Sequence, residues 1–420
     1  MTMRILVLAH NHPSLHPGGT ETVAHELFRE YRDAGHEALF LAATNRLHRE
    51  PHPGTSFQAI GDSRDEILMW AGHFDRLSMS QIDLYGFVPD MKNLLETFRP
   101  DVVHIHHLLL FGVELPTLIR RTLPDARIVM TLHDYYAICA NDGVMMKSPQ
   151  EQCAAFEQGG LCSCIEDVPA ERMRLRERYI KTHLEAVDQF TSPSAFLRDA
   201  YVRWGIAGEK IELLPNGRPD VDAALARSTL CDARNVFGYF GNLTPWKGIE
   251  VLLRACKRLI EADVEFELRV HGGAPFQGER FVDEIDALFD ETSARVTRVG
   301  PYRPEDIPRL MQSIDWVVVP SVWWENAPLV IAEARQHKRP VIASGVGGMA
   351  EAVKDGVDGL HAQRSDVSDL ARVMRLAAGD PDLHRRLVAN NRQPPSVAAV
   401  AERYLRLFAK LKAAPQNAAA

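Results

Sequence analysis

The sequence contains no long apolar run and few cysteines. No window of its 420 residues approaches the ~18 consecutive apolar residues that a membrane-spanning helix needs. Its first residues show no basic flank followed by a long apolar core, so we expect no signal peptide and a cytoplasmic location. In that compartment the six cysteines are expected to be reduced rather than paired in disulfides.

Basic residues are not in excess either. The formal net charge is −8 at pH 7, which argues against nucleic acid as a partner. Any attraction to an anionic membrane must therefore come from a local patch. The loop after the first apolar run is too long for a dinucleotide fingerprint and lacks the G-x-G-x-x-G spacing, which counts against a nicotinamide-dependent enzyme.

Short apolar runs alternate with helical patterns along the whole chain. Examples are MRILVLA, DVVHIHH and ARIVMTLHD in the first half and VFGYFGN, FELRVHGG and DWVVVP in the second. Each run is typical of a strand buried on both faces, and the alternation predicts parallel sheets with right-handed crossovers. A chain of this length is expected to form two domains of about 200 residues each.

The turn residues of LLPNGRPD mark the boundary between these domains. We predict a first doubly wound domain over residues 1–213 and a second over residues 214–393. Ligands of such sheets bind beyond the carboxyl ends of the strands. We therefore expect a site in the cleft between the two domains.

Three loops at the predicted carboxyl ends of strands combine glycine or lysine with the start of a helix. HPGGTE carries Gly18 and Gly19, GNLTPWKG carries Lys247, and SGVGGMAE carries Gly347 and Gly348. Adjacent glycines let the backbone approach a ligand closely, and a helix N-terminus favours an anion. Each loop alone also suits an ordinary turn, and Lys247 alone suits a solvated side chain. Together the loops indicate a site for a diphosphate.

Two carboxylates bracket the turn in WWENAPLVIAE. Glu325 and Glu333 are separated by seven residues, and RPVIASGVGGMAE follows. With the loops above, this E-x7-E order resembles the retaining nucleotide-sugar glycosyltransferases of family 4, from MRILVLAHNHPSLHPGGTE to DGVDGL. The resemblance implies the GT-B architecture, in which two doubly wound Rossmann-like domains face each other across a cleft. It also implies that a C-terminal helix at about residues 396–412 packs back on the first, acceptor-side domain.

The resemblance further implies transfer of a sugar, with retention, from a nucleotide-diphosphate sugar to a glycan or lipid-linked acceptor. The family generally requires no cofactor for catalysis. His133, in TLHDYY, and Glu325 would be the catalytic residues. Many members carry arginine where this chain has Asn242, so one cation beside the diphosphate is missing. The implied donor-binding residues are Gly18, Gly19, Asn242, Lys247, Asn326, Ala327, Leu329, Glu333, Gly347 and Gly348.

Two other functions remain open. One is a non-catalytic protein that binds a sugar nucleotide or a glycan in a decayed version of this cleft. The other is a sugar-nucleotide epimerase of the same architecture. The intact Glu325, Glu333, Lys247 and His133 argue against decay, and the tandem of ENAPLVIAE and GVGGMAE favours transfer over epimerisation.

Four of the six cysteines cluster in one segment. Thiolates at these positions can hold a structural zinc ion or an iron–sulfur cluster. The C-x-C spacing is not the usual C-x-x-C of a zinc knuckle, so thiols without a metal are the alternative. The four residues are Cys139, Cys153, Cys162 and Cys164.

The segment PAERMRLRERYIKTHLEAV predicts a helix with five basic residues interleaved with glutamates. One interpretation is a salt-bridged face exposed to solvent. The other is a weak membrane-surface patch, which would bring the protein to the inner face of the membrane for a lipid-linked acceptor.

Overall fold

The computed structural model describes residues 2–148, 151, 153, 164–165, 167–221, 234–275 and 277–414. The chain divides into two compact units. No helix among the described residues is long and apolar enough to cross a bilayer. Unit 1 comprises Met1–Val144, Ala154–Pro219 and Pro395–Ala420, and unit 2 comprises Met145–Cys153 and Asp220–Pro394.

Unit 1 is built on an eight-stranded sheet. The strands of unit 1, including two outside this sheet, are β1 (Arg4–Ala9), β2 (Glu37–Thr44), β3 (Phe57–Ala59), β4 (Glu66–Trp70), β5 (Phe74–Asp75), β6 (Ser80–Gln81), β7 (Val102–Ile105), β8 (Arg127–Thr131), β9 (Gln189–Ser192) and β10 (Ile211–Leu213). The sheet order is β10-β9-β8-β7-β1-β2-β4-β3, and β5 pairs with β6 separately. All neighbours in the large sheet are parallel except β3 and β4.

The helices of unit 1 connect these strands, and the last one returns from the end of the chain. They are α1 (Gly19–Asp33), α2 (Phe87–Phe98), α3 (Leu115–Thr122), α4 (Ala170–Leu184), α5 (Ala195–Trp204) and α13 (Val397–Ala413). On α13, the Tyr404 hydroxyl lies 3.0 Å from the hydroxyls of Thr131 and Thr191. Lys412 Nζ donates to Asp101 Oδ1 at 2.7 Å. These contacts attach α13 to unit 1.

Unit 2 is built on a six-stranded parallel sheet. Its strands are β11 (Val236–Phe240), β12 (Glu267–His271), β13 (Val296–Gly300), β14 (Trp316–Val319), β15 (Val341–Ser344) and β16 (Gly359–Ala362). Its helices are α6 (Ile249–Glu261), α7 (Glu279–Thr292), α8 (Ile307–Gln312), α9 (Leu329–Gln336), α10 (Gly347–Ala352), α11 (Val367–Gly379) and α12 (Pro381–Ala389). The order β13-β12-β11-β14-β15-β16 is the 3-2-1-4-5-6 order of a Rossmann sheet.

Both faces of the unit 2 sheet are covered, which explains its continuous apolar strands. Along β14, Trp316 and Val318 join the core that includes Leu252 of α6. Val317 and Val319 point the other way and join the core around α9. The order of the parallel strands reverses between β1 and β7 in unit 1 and between β11 and β14 in unit 2. These switch points are where doubly wound sheets bind ligands.

The alternation of strand and helix predicted from the sequence does not include the short strands between β2 and α2 of unit 1. Residues 57–81 form four short strands, β3 to β6, and α2 follows them. These strands have only two to five residues each, so they lack the long apolar run that identifies a buried strand. Helix α6 begins at Ile249, because Pro245–Lys247 forms a separate 3₁₀ turn before it.

Candidate active site

Three loops of unit 2 meet at the carboxyl ends of β11, β14 and β15, which are neighbours in the sheet. They carry Lys247, Glu325 and Gly348 respectively. The Val322 N–H donates to the Trp246 carbonyl at 2.9 Å and joins the first two loops. The Gly348 N–H donates to the Glu325 carbonyl at 2.8 Å and joins the second to the third. Unit 2 thus brings together three loops that the sequence places far apart.

Lys247 and Glu325 form an ion pair at the switch point of unit 2. Lys247 Nζ lies 2.6 Å from Glu325 Oε1, and the Ser321 hydroxyl donates to the same oxygen at 2.9 Å. Burial by itself would raise the pKa of Glu325, but the ammonium and these hydrogen bonds lower it below its usual value. The Lys247 side chain is 35% exposed, so its ammonium has N–H groups left to donate to an anion.

Glycine allows these loops to approach each other closely. A Cβ atom at Gly348 would lie 1.4 Å from the Asn326 carbonyl oxygen, and one at Gly248 would lie 2.0 Å from the Pro320 oxygen. Gly347 has a φ of +58°, which side chains rarely adopt. The predicted donor-binding glycines of this loop therefore also have a structural role that needs no ligand.

The second carboxylate of the E-x7-E pair, Glu333, lies on α9 and is 8% exposed. Burial, followed by the charge of Glu333, raises the pKa of Tyr302, so these two side chains are close enough to interact. Asn326 and Ala327 lie in the turn before α9, and Leu329 is the first residue of that helix. The predicted amide donors are thus grouped at one helix N-terminus.

His271 ends β12, the neighbour of β11, and is 1% exposed. Its ring stacks on Phe240, with centroids 4.6 Å apart. Among the described residues, neither of its ring nitrogens has a hydrogen-bond partner. Burial lowers the pKa of His271 to about 4, so the ring is neutral at pH 7. Asn242, on the loop after β11, is exposed, and its carbonyl accepts from Tyr239 at 2.9 Å.

Unit 1 carries a row of histidines at its own switch point. His133 follows β8, and its Nε2 lies 2.9 Å from Nδ1 of His106, which follows β7. The His106 ring lies 4.2 Å from that of His104, whose Nε2 hydrogen-bonds to Thr131 at 2.8 Å. Burial lowers the pKa of His133 to about 4 and that of His104 to about 3. These imidazoles are therefore neutral at pH 7.

A second group in unit 1 carries charge. His107 Nε2 lies 2.6 Å from Asp134 Oδ2. Burial opposes both charges, but the pKa of Asp134 is lowered to about 2 and that of His107 is raised, because each stabilises the other. The His10 ring lies 4.4 Å from that of His107, and His10 Nε2 lies 3.1 Å from Glu21 Oε1. Burial raises the pKa of Glu21 to about 7.

Gly18 makes room for that buried carboxyl group. It is the N-cap of α1, Gly19 is the first helical residue, and Glu21 lies in the first turn. A Cβ atom at Gly18 would lie 2.3 Å from Glu21 Oε2. Gly18 of HPGGTE thus leaves room for a buried side chain at the start of the helix.

The proposed cysteine site is only partly described. Cys139 and Cys153 are buried and Cys164 is partly exposed. Cys162 lies outside the described residues. A metal at these cysteines stays a prediction.

Sequence reasoning singled out His133 but missed the groups around it. His10, His106 and Asp134 also follow the ends of parallel strands in the apolar runs MRILVLA, DVVHIHH and ARIVMTLHD. The positional rule that identified His133 would have found all three. Glu21 and His271 are harder to identify from the sequence, because their burial depends on contacts between separate helices and strands.

Two family models match the chain, one over each unit. "Glycosyltransferase Family 4" matches residues 17–220, and "Glycosyl transferases group 1" matches residues 234–380. The chain belongs to the family 4 glycosyltransferases. The family predicted from the sequence is therefore confirmed.

The chain is also similar to curated glycosyltransferases. The chain is 33% identical over 195 residues to a D-inositol 3-phosphate glycosyltransferase of Nocardia farcinica, covering 44% of this chain and 43% of that protein. It is 37% identical over 265 residues to the protein of the same name from Rhodococcus opacus, covering 57% and 58%. The chain thus spans about half the length of the curated relatives it matches.

Solved structures share the fold. Anabaena HepE in complex with UDP matches with a TM-score of 0.69 and 18% identity, covering 97% of this chain and 100% of that one. The predicted GT-B class, with two Rossmann-like domains, is confirmed at this level.

Proposed function

We propose that this glycosyltransferase moves a sugar, with retention, from a nucleotide-diphosphate sugar to a hydroxyl acceptor. The observation that carries the proposal is the Lys247–Glu325 pair at the switch point of unit 2. An ammonium held at 2.6 Å by a buried carboxylate is already oriented before a diphosphate arrives. The bound UDP and UDP-glucose of the HepE structures support this class of donor.

The other unit 2 residues take parts of the same donor. Glu333 accepts hydrogen bonds from the ribose hydroxyls, and the amides of Asn326, Ala327 and Leu329 donate to sugar or phosphate oxygens. His271 adds a ring that has two nitrogens for a polar group of the nucleotide. This role follows from burial of both nitrogens without a described partner, a state that costs free energy unless a ligand satisfies it.

In unit 1, His133 positions the sugar as a neutral imidazole. Its pKa of about 4 excludes a role as a cation at pH 7. The hydrogen bond to His106 at 2.9 Å fixes the orientation of the ring.

For the acceptor, we propose a lipid-linked substrate that docks beside α4. A groove of about 580 Å³ in unit 1 is lined by Ile82, Leu175, Arg172 and Arg178 among others. Ile82 is 60% exposed and Leu175 is 67% exposed. Apolar and cationic side chains in one open groove suit an acceptor that combines an acyl or isoprenoid chain with a phosphate. The docking would make the membrane contact peripheral.

The structure also limits the salt-bridge interpretation of α4. Lys181 pairs with Glu177, and Arg176 is buried and donates to the carbonyls of Ala137 and Tyr136. The arginines at 172, 174 and 178 are exposed. A cationic surface therefore remains on this helix.

The donor proposal is tested with purified protein and UDP-glucose. We expect slow release of UDP without an acceptor and faster release with one, and NMR of the product should show the anomeric configuration of the donor. Tight binding without any turnover would instead indicate a binding protein, and a changed sugar without release of UDP would indicate an epimerase. An inverted product contradicts retention.

Two variants test the E-x7-E roles. Glu333→Ala should raise the donor KM by about ten- to a hundred-fold, because a charge-assisted hydrogen bond is lost from ground and transition state alike. Glu325→Gln should lower kcat by a similar factor with little change in donor binding, because Glu325 orients the sugar and its charge matters most as positive charge develops at the anomeric carbon. Full activity in both variants contradicts these roles.

The acceptor proposal is tested on vesicles. Arg178→Glu should reduce co-sedimentation with anionic vesicles and raise the KM for a lipid-linked acceptor. Arg174→Glu makes the same change on the same exposed helix without lining the groove and serves as the control. Equal effects of the two variants would mean that only overall charge matters. The names of the curated relatives give inositol 3-phosphate, a soluble compound, as the acceptor. If this protein uses inositol 3-phosphate and Arg178→Glu does not affect that turnover, the lipid-linked proposal is contradicted.

A further inference from the structure

Three side chains from separate parts of unit 1 point at one spot. His12 lies in the loop after β1, His25 lies on α1, and Glu66 begins β4. His12 Nε2 and His25 Nε2 each lie 2.9 Å from Glu66 Oε2. Among the described residues this is the one group of three or more His, Cys, Asp or Glu side chains whose ligand atoms all lie within 4.8 Å of one another. From this geometry we propose that the three residues form a binding site for a divalent transition-metal ion.

The distances fit a metal after a small adjustment. A tetrahedral zinc ion holds nitrogen and oxygen ligands at about 2.0–2.2 Å, which separates neighbouring ligand atoms by about 3.3 Å. The observed separations of 2.9 Å require an opening of a few tenths of an ångström. Two histidines and one carboxylate are a usual first set of ligands for zinc or ferrous iron, with water completing the shell.

The surroundings already orient the ligands as a metal site does. The Ser14 hydroxyl lies 2.7 Å from His12 Nδ1 and the Ser14 backbone N–H donates to the same nitrogen at 3.2 Å, so Ser14 fixes the His12 ring with Nε2 towards the site. The Phe40 ring meets those of His12 and His25 edge-on, with centroids 5.6 and 5.3 Å away. The side chains of His12, His25 and Glu66 are 7%, 22% and 19% exposed, so the site is shielded yet open to an ion.

The position of the site indicates its role. The loop that carries His12 runs from the end of β1 to Gly18 at the start of α1. A metal would tie this loop, α1 and strand β4 together. It would therefore brace the segment that leads to Glu21, and it differs from the predicted cysteine site in both residues and ligand type.

Cobalt(II) titration of the full chain tests the proposal. We expect one ion per chain to bind at micromolar concentrations with the visible bands of a nitrogen- and oxygen-ligated ion. These bands should appear without the thiolate-to-cobalt absorption that a cysteine site would add. Zinc should displace the cobalt and raise Tm, by roughly 5–10 °C at a hundred-fold excess over its Kd.

Two variants and a control decide between outcomes. His25→Gln and Glu66→Gln, each of which keeps a polar side chain, should both remove one ion per chain and the zinc-dependent rise in Tm. His48→Asn, which alters the His16–His48 ring pair 5.7 Å apart, should change neither. No cobalt binding in the wild-type chain, or binding that survives both variants, overturns the proposal and leaves a hydrogen-bonded His–Glu–His cluster. None of these measurements depends on glycosyl transfer.

Discussion

Each unit has the same kind of sheet and a cluster at the same switch point, but the chemistry of the two clusters differs. Unit 2 carries a fixed ion pair, Lys247–Glu325, whose carboxylate pKa is lowered. Unit 1 carries imidazoles that burial keeps neutral, next to the charged pair His107–Asp134. Unit 1 has 13 of the 17 histidines. Sensitivity to acid should therefore be concentrated in unit 1.

The comparison shows that the switch point of a doubly wound sheet can carry either a charged ion pair or hydrogen-bonding groups whose protonation depends on pH. A lysine ammonium held by a buried glutamate suits a diphosphate. Buried neutral imidazoles suit the uncharged hydroxyls of a sugar. The same topology positions both sets, because parallel strands end at a common edge.

The largest effect should come from breaking the unit 2 pair. Lys247→Ala should lower kcat/KM by about 100- to 1,000-fold, because the diphosphate loses its ammonium partner and Glu325 stays buried without it. Steady-state kinetics measures this. Lys257→Ala is the control, since Lys257 pairs with Glu291 at 2.8 Å on the exposed surface, where the loss of an ion pair has little effect on stability. If the two variants are equally active, Lys247 does not bind the diphosphate and has only a structural role.

Acidification should weaken unit 1 first. Burial lowers the pKa of His104 to about 3 and of His133 to about 4, and it also lowers those of His10 and His106 well below normal. Below pH ~6.5 the unfolded chain protonates these rings while the folded chain does not. The unfolded state then binds more protons, so stability falls as pH falls from 6.5 towards 4, by up to about 1.4 kcal/mol per group and pH unit.

Hydrogen exchange of β7 and β8 compared with β11 and β14, at pH 7 and 5, measures the difference. Unit 2 has only four histidines, among them His271 and His384 with a lowered pKa, so its strands should lose less protection. Glu21 and His107 act in the opposite direction, because their pKa values are raised. Equal loss of protection in both units contradicts the comparison.

Replacing Glu21, the carboxyl group of unit 1 whose pKa is raised, should have a smaller effect on stability, and this effect should depend on pH. The folded pKa of Glu21 is about 7 against 4.5 in the unfolded chain, so its contribution to stability is present below pH 4.5 and is lost as pH rises through 7. Glu21→Gln cannot ionise, so it should gain about 1–3 kcal/mol relative to the wild type at pH 8 and nothing at pH 4.5.

Thermal unfolding at the two pH values checks this. Glu37→Gln, at the exposed start of β2, is the control and should shift Tm equally at both. A Glu21→Gln variant that is destabilised to the same extent at pH 4.5 and 8 would mean that Glu21 is ionised in the folded protein.

The smallest effect concerns the neutral histidine of unit 2. His271→Phe keeps the stacking on Phe240 and removes both ring nitrogens. If these nitrogens bind the donor, the donor KM should rise about ten-fold, the cost of one neutral hydrogen bond. Stability should stay the same or increase, because two buried polar atoms without a described partner are removed. An unchanged KM would show that the nucleotide does not use this ring.

Much of the architecture follows from local sequence. Runs such as MRILVLA and DWVVVP are apolar on both faces, and only a sheet covered on both sides buries them completely. Alternation with helical segments then requires parallel strands, and parallel strands place Lys247, Glu325 and His133 in loops at the carboxyl edges. The E-x7-E spacing and the family follow from residues that are close in the chain.

Only the tertiary structure decided what those residues contact. The pairing of Lys247 with Glu325, of His133 with His106 and of Glu66 with His12 joins side chains that are far apart in the chain. Burial, not residue type, sets the state of Glu21, since the same carboxyl group in water would be ionised at pH 7. Distances and desolvation arise when strands take their order in the sheet, and no local pattern encodes that order.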